Sequence, residues 1–116
     1  VAVGEDDHLI VAVNPGLALD AHDCFPSALL RVRGGHDGAD LALLEDIDDA
    51  AFVSSRYARL VVGSGDGIFT TAILRLRVCG LLVGVVSRRH SLSASLRASA
   101  TFVRLLPDSF LPEVAA

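Results

Sequence analysis

The chain contains 116 residues, of which 52% are hydrophobic and 21% are charged, and its formal net charge is −4. This length supports one modest hydrophobic core, and the composition excludes an intrinsically disordered chain. The uncharged runs are shorter than the roughly 20 residues of a membrane-spanning helix, and the acidic balance argues against a broadly basic surface that wraps nucleic acid. No secretory signal is recognisable, so we expect a cytoplasmic protein. The absence of methionine indicates that the sequence starts downstream of its translation start.

Short apolar runs alternate with helical patterns along the chain, which is typical of an α/β domain. Strands are predicted at 9–13, 29–33, 60–64, 82–86 and 101–106. Helices are predicted at 15–22, at 37–47, after an Asp48 cap to residue 57, from residue 68 to a Gly80 cap, and after a Ser91 cap. Four of the strands are continuous apolar runs, as in buried parallel strands. The pattern predicts one domain with a three-layer α/β/α fold, a mostly parallel sheet and a loose tail at 107–116.

The two cysteines point to no special chemistry. Cys24 and Cys79 are far apart in the sequence and form no C-x-x-C pair. Without a secretory signal, a disulfide is not expected between them. We predict two reduced and mostly buried thiols, which is the usual state of free cysteine.

Polar residues follow the predicted strands at the place where ligands bind in such folds, beyond the carboxyl ends of the strands. Three segments qualify: Asn14 after the first strand, residues 34–40 after the second, and residues 64–68 after the third. Asp66 lies between two glycines, whose lack of side chains leaves space around its carboxylate. Asp66 can also serve as the N-cap of the following helix. The sequence therefore offers a ligand site and a simple cap as alternatives at this position.

The helix predicted at 37–47 carries a second group of carboxylates. Helical spacing places Asp37, Asp40, Leu44 and Ile47 on one stripe, and the two apolar residues must face the core. Asp40 then faces inward, which is costly unless the carboxylate is hydrogen-bonded or holds a metal ion. Asp37 can equally be the N-cap of this helix. Asp46 lies on another face, which is more typical of solvated surface.

Carboxylates at the ends of parallel strands suit Mg²⁺ or Mn²⁺, since these ions prefer oxygen ligands. Such an ion can activate water and neutralise charge on a phosphodiester. The alternative is a hydrogen-bonded polar cluster at the edge of the sheet. If the ion is present, Asp37, Asp40 and Asp66 are its expected ligands.

Two segments resemble the NYN domain, a branch of the PIN-like nuclease superfamily. Residues 39–46 resemble the family's D-x-x-L-x-x-D stretch at the start of a helix, and residues 60–69 resemble a strand that ends in SGDxDF. A glycine, a strand and an LS-x-x-L helix follow in the family's order, so the resemblance covers about residues 8–107. It implies a PIN-like fold that hydrolyses RNA with Mg²⁺ or Mn²⁺. Asp40 and Asp66 match its catalytic and metal-binding positions, and Asp46 matches a further metal-binding position.

Two departures from the family pattern bear on activity. Ile68 stands where the family has the second aspartate of SGDxDF. The family also opens with a central strand that ends in an aspartate and precedes everything recognised in this sequence. Its absence predicts a gap between the strands at 9–13 and 60–64. A segment ahead of this sequence or a second copy of the chain can complete the sheet, or the chain folds with a rearranged sheet.

Three functions remain open on these observations. The first is a metal-dependent ribonuclease, with RNA as its partner and Asn14, Ser64, Arg33 and Arg88 as substrate-binding residues near strand ends. The second is a catalytically degenerate PIN-like domain that binds RNA or a protein. The third is a nucleotide-binding module that uses the helix N-terminus after Ser64.

Overall fold

The computed structural model describes residues 7–13 and 15–106. The strands are β1 (Ile10–Val13), β2 (Leu29–Val32), β3 (Arg59–Val62), β4 (Leu82–Arg88) and β5 (Phe102–Leu106). The α-helices are α1 (Ala18–Cys24), α2 (Gly38–Ile47), α3 (Ala50–Arg56), α4 (Thr70–Val78) and α5 (Ala94–Ser99). Short 3-10 helices at Pro15–Leu17, Gly67–Phe69 and Arg89–Ser91 precede α1, α4 and α5. The predicted α/β fold is confirmed, whereas Asn14 and the predicted tail at 107–116 lie outside the described residues.

The chain divides into two compact units, an N-terminal unit that ends at Asp48 and a C-terminal unit that begins at Asp49. In the N-terminal unit, β1 and β2 pair in parallel from Ile10 opposite Leu29 onward, and α1 and α2 pack against both strands. In the C-terminal unit, the parallel strands are ordered β3-β4-β5. The described strands therefore pair as two separate parallel sheets.

The core of the C-terminal unit lies between α4, α5 and one face of its sheet. Phe69, Ile73 and Leu76 have at most 1% of their surface exposed, and Leu96 on α5 is fully buried. Phe69, Ile73 and Leu76 follow one another at helical spacing, so α4 and the turn before it carry one apolar stripe. α4 packs against β4, whose Val83 and Val85 are also fully buried. Truncating a large side chain in such a core costs about 2–5 kcal/mol.

Gly80 ends α4 as the sequence predicts. Its φ is +94°, a left-handed conformation that glycine adopts without a steric penalty. The Gly80 N–H donates to the Arg77 carbonyl at 2.9 Å, and the Leu81 N–H donates to the Leu76 carbonyl at 3.1 Å. This pair of bonds is the Schellman motif, which satisfies the last carbonyls of the helix. It turns the chain directly into β4.

Two predicted helix caps are wrong by one or two residues. Asp48 still belongs to the end of α2, where its N–H donates to the Glu45 carbonyl. Asp49 is the first residue outside the helical conformation, and its side chain caps α3 by accepting from the Phe52 N–H. Likewise Ser91 lies in a 3-10 helix, and Ser93 caps α5 by accepting from the Leu96 N–H at 3.1 Å. β4 runs to Arg88, two residues beyond its prediction, and this extension moves the helix start along the chain.

Replacing Ser93 by Ala is expected to lower the free energy of unfolding by about 1 kcal/mol, because α5 loses its capping acceptor. The Ser91→Ala variant is the matched control, since Ser91 caps no α-helix here, and its effect should stay within about 0.5 kcal/mol. Urea denaturation of both variants measures the difference. Equal losses from the two substitutions would contradict this assignment of the cap.

The prediction of buried thiols is wrong. Cys24 and Cys79 are both free and exposed. Each lies at the end of a helix, Cys24 as the last residue of α1 and Cys79 as the C-cap of α4. At these positions the chain leaves the helix, so neither side chain is covered by the sheet.

Candidate functional site

Asp37 and Asp40 lie at the start of α2 in the N-terminal unit. Asp37 occupies the N-cap position with a left-handed φ of 57°, and within the described residues its side chain makes no capping hydrogen bond. Its carboxylate instead lies 3.2 Å from His36 Nε2. Asp40 is half-buried in the first helical turn. Carboxylate oxygens of Asp37 and Asp40 come within 4.8 Å of each other.

Two carboxylates at this separation repel each other unless a cation or a hydrogen-bond donor offsets their charge. Left-handed backbone at a residue with a side chain is uncommon, although aspartate adopts it more readily than most residues. The conformation of Asp37 removes its side chain from the capping role and brings it near Asp40. A divalent cation that prefers oxygen ligands fits this pair of carboxylates.

Asp66 lies at the carboxyl end of β3 in the C-terminal unit. Its carboxylate accepts a hydrogen bond from the Ile68 N–H at 3.0 Å and so caps the 3-10 helix that leads into α4. The Asp66 N–H in turn donates to Ser64 Oγ at 3.1 Å. The capping alternative is thus realised at Asp66. A carboxylate has two oxygens with about four acceptor positions, so this cap is compatible with metal binding by the exposed side chain.

The glycines on both sides of Asp66 serve close packing in addition to any space for a ligand. The Gly65 carbonyl accepts from the Ser93 N–H at 2.8 Å, and a Cβ at Gly65 would clash with the backbone of Ser91. A Cβ at Gly67 would lie 3.2 Å from Ser93 Oγ. The segment between β4 and α5 therefore supports the Asp66 loop. The sequence offered no pairing signal between these two distant segments.

Asp46 and Arg33 both take part in ion pairs within the N-terminal unit. Arg31 on β2 donates from Nε and from a terminal nitrogen to the Asp46 carboxylate at 3.0–3.2 Å, and only 16% of the Asp46 side chain is exposed. Arg33 donates to Glu45 at 2.6 Å. The interpretation of Asp46 as solvated surface is wrong, because α2 presents it to β2. Metal binding by Asp46 and phosphate binding by Arg33 would compete with these pairs.

These pairs also shift the proton affinities of their members. The hydrogen bond from Arg33, with the attraction of its charge, holds the pKa of Glu45 below its ordinary value. The hydrogen bond to Asp46 raises the pKa of Arg31, and that to Glu45 raises the pKa of Arg33. Since the folded pKa of Glu45 is lowered, any stability from its pair is present near neutral pH and is lost as the pH falls through that value.

We expect Asp46→Asn and Arg31→Gln to lower the melting temperature by similar small amounts, because each breaks the same pair. The melting temperature of the double variant should be no lower than that of the less stable single variant, because the effects of coupled residues are not additive. Thermal denaturation of the three variants measures this coupling. Strictly additive losses would show that Asp46 and Arg31 do not stabilise the fold through each other.

Two other predicted substrate-binding residues fall in the C-terminal unit. Ser64 is half-buried, and its Oγ accepts the hydrogen bond from the Asp66 N–H that orients the Asp66 loop. Arg88 is the last residue of β4 and is half-buried. Binding of substrate by these residues stays a prediction, as does that by Asn14, which is outside the described residues.

The positive and negative charges are distributed unequally between the two units, which the net charge of −4 does not show and the sequence analysis missed. Residues 49–106 contain eight arginines and two aspartates: Arg56, Arg59, Arg75, Arg77, Arg88, Arg89, Arg97, Arg104, Asp49 and Asp66. Residues 7–48 contain only Arg31 and Arg33 against eight acidic residues. The signal was present in the order of charges along the chain. The C-terminal unit therefore carries an excess of positive charge, which attracts polyanions.

Comparisons with known proteins agree with this fold. The family model of the NYN domain matches residues 18–106, which confirms the resemblance seen in the sequence. A crystal structure of a protein of unknown function from Vibrio parahaemolyticus matches with a TM-score of 0.67 at 18% identity, over 85% of this chain and 67% of that chain. No curated protein matches significantly. In the described part of the chain, no helix is both long and apolar enough to cross a bilayer.

Proposed function

The chain belongs to the NYN domain family of the PIN-like nuclease superfamily, and from this we propose that it is a metal-dependent ribonuclease that hydrolyses phosphodiester bonds in RNA. The observation that carries the proposal is Asp66, which follows the parallel strand β3 in a short loop and caps the 3-10 helix before α4, in the family's order. In folds of this class, ligands bind beyond the carboxyl ends of the strands.

In the C-terminal unit the proposed metal ligand is Asp66, and in the N-terminal unit the proposed ligand is Asp40, with Asp37 beside it. These residues supply carboxylate oxygens, the donors that Mg²⁺ and Mn²⁺ prefer. When bound, the ion supplies an activated water and offsets negative charge on the phosphodiester. Ser64 fixes the loop that carries Asp66 through its hydrogen bond to the Asp66 N–H. Asp40 lies in the first turn of α2, so the helix fixes the backbone that carries its carboxylate.

One observation favours a catalytically degenerate domain that binds RNA without cleaving it. Ile68 replaces a family aspartate, and its side chain offers no metal ligand. The Ile68 N–H donates to the Asp66 carboxylate, which caps the 3-10 helix. In this alternative the fold keeps the RNA-binding surface and loses hydrolysis.

Cleavage of a labelled single-stranded RNA by the protein separates the two functions. The ribonuclease proposal predicts products with Mn²⁺ or Mg²⁺ and none after the metal is removed with EDTA. The degenerate alternative predicts a bound RNA that stays intact in both conditions. Cleavage that continues in EDTA would contradict the proposal of a metal-dependent ribonuclease.

A further inference from the structure

The two faces of the sheet in the C-terminal unit differ in exposure. Register places Val62, Val83, Val85 and Ser87 on one face, where all four are buried. The opposite face carries the alternate residues of the same strands. Its apolar members Val61, Val86, Phe102 and Leu106 are half-buried, and Leu82 is 54% exposed. We call this second surface the arginine face.

The arginine face combines an aromatic ring with cations. Arg59, Arg88 and Arg104 lie on it by register, each opposite an apolar partner on the neighbouring strand. Arg104 pairs with Val86, and Arg88 is two residues further along the same strand, about 7 Å away along its axis. The strand positions of this face include no acidic residue among those described. The face is therefore suited to an anionic partner.

Phe102 has a fixed place on this face. It pairs with Gly84 on β4, and its ring covers the position where a Gly84 side chain would stand. Gly84 thus lets the ring lie against the backbone of the sheet. A flat aromatic ring on a sheet face that also carries arginines is the arrangement with which sheet proteins stack the bases of single-stranded nucleic acid.

We propose that the arginine face binds single-stranded RNA, with Phe102 stacking on a base and Arg88 and Arg104 contacting phosphates. The inference rests on the proposed function for the identity of the polyanion. An acidic protein segment would satisfy the arginines but has no base to stack on Phe102, which is why RNA is favoured. Arginine on an edge strand such as β5 also discourages aggregation, and the experiment separates that role from binding.

Fluorescence anisotropy of a labelled oligouridine in EDTA tests the proposal without any contribution from a metal ion. The Arg88→Gln/Arg104→Gln variant should bind at least about tenfold more weakly, and the slope of log K against log salt should fall by roughly 1.4, about 0.7 for each lost phosphate contact. Phe102→Leu keeps an apolar side chain over Gly84 but removes the ring on which a base stacks. Its affinity for the RNA should be about five- to tenfold lower.

Two controls guard against a folding defect. Arg75→Gln/Arg97→Gln removes the same two charges from α4 and α5, on the helical side of the sheet, and should leave affinity within about twofold. Arg88→Lys/Arg104→Lys keeps both charges and should restore most of the binding. Unchanged affinity and salt slope in the Arg88→Gln/Arg104→Gln variant would overturn the proposal, as would an equal loss of affinity in Arg75→Gln/Arg97→Gln.

The outcomes also separate this inference from the proposed ribonuclease. If the wild-type protein binds RNA through this face but never cleaves it, the inference stands and the ribonuclease proposal fails. If the wild-type protein cleaves RNA with a metal ion while the glutamine double variant binds and cleaves normally, the ribonuclease stands and the inference fails.

Discussion

Asp66→Asn is expected to reduce metal-dependent RNA cleavage by at least about 100-fold, a loss typical of removing one essential electrostatic group from an active site. Asparagine retains an oxygen that can accept from the Ile68 N–H, so the cap before α4 survives. The substitution removes only the negative charge that the proposed ion requires. Initial rates of cleavage of a labelled single-stranded RNA in saturating Mn²⁺ measure the effect.

Asp23→Asn is the matched control for this substitution. Asp23 is an exposed aspartate near the end of α1, and its replacement removes the same charge from the chain. Its cleavage rate should stay within about twofold of the wild-type rate. Equal rates for the wild-type protein and Asp66→Asn would show that Asp66 is only a helix cap.

The Gly65→Ala substitution is expected to lower the free energy of unfolding by about 3 kcal/mol, the upper part of the range for overpacking. The added Cβ would clash with the backbone carbonyl of Ser91, and a backbone group cannot move aside as a flexible side chain can. The hydrogen bond from the Ser93 N–H to the Gly65 carbonyl would be displaced with it. Urea denaturation gives the loss directly.

Gly63→Ala is the control, because a Cβ at Gly63 meets nothing within 4 Å. It should change stability by no more than about 0.5 kcal/mol. A Gly65→Ala protein as stable as Gly63→Ala would mean that the segment between β4 and α5 does not pack tightly on the Asp66 loop. That result would remove the structural support assigned to this segment.

The strands were predictable because their signal is local. Residues 60–64 and 82–86 are apolar runs bounded by glycine or polar residues, and β3 and β4 occupy nearly the same positions. The signal for the core of α4 is also local, because Phe69, Ile73 and Leu76 follow one another at helical spacing and are all buried. Gly80 was predictable as a cap because a glycine directly after a helical stripe is typical of a left-handed helix end.

The supporting contacts were not predictable because they join segments that are distant in the sequence. Nothing local distinguishes Asp46 as the partner of Arg31, 15 residues away, from a solvated acidic residue. The role of Gly65 depends on Ser91 and Ser93, which the pairing of β3 with β4 brings near it. The helix caps were displaced because neighbouring residues offer the same donor or acceptor chemistry, and only the length of β4 decides between Ser91 and Ser93.

The central claim is that Asp40 and Asp66 each supply a carboxylate ligand for a divalent ion. Calorimetric titration of the protein with Mn²⁺ tests this most directly, with Asp40→Asn, Asp66→Asn and the Asp23→Asn control run under the same conditions. We predict Mn²⁺ binding by the wild-type and control proteins and at least about tenfold weaker binding in each of the other two variants. Unchanged Mn²⁺ affinity in either Asp40→Asn or Asp66→Asn would contradict the assignment of that residue as a metal ligand.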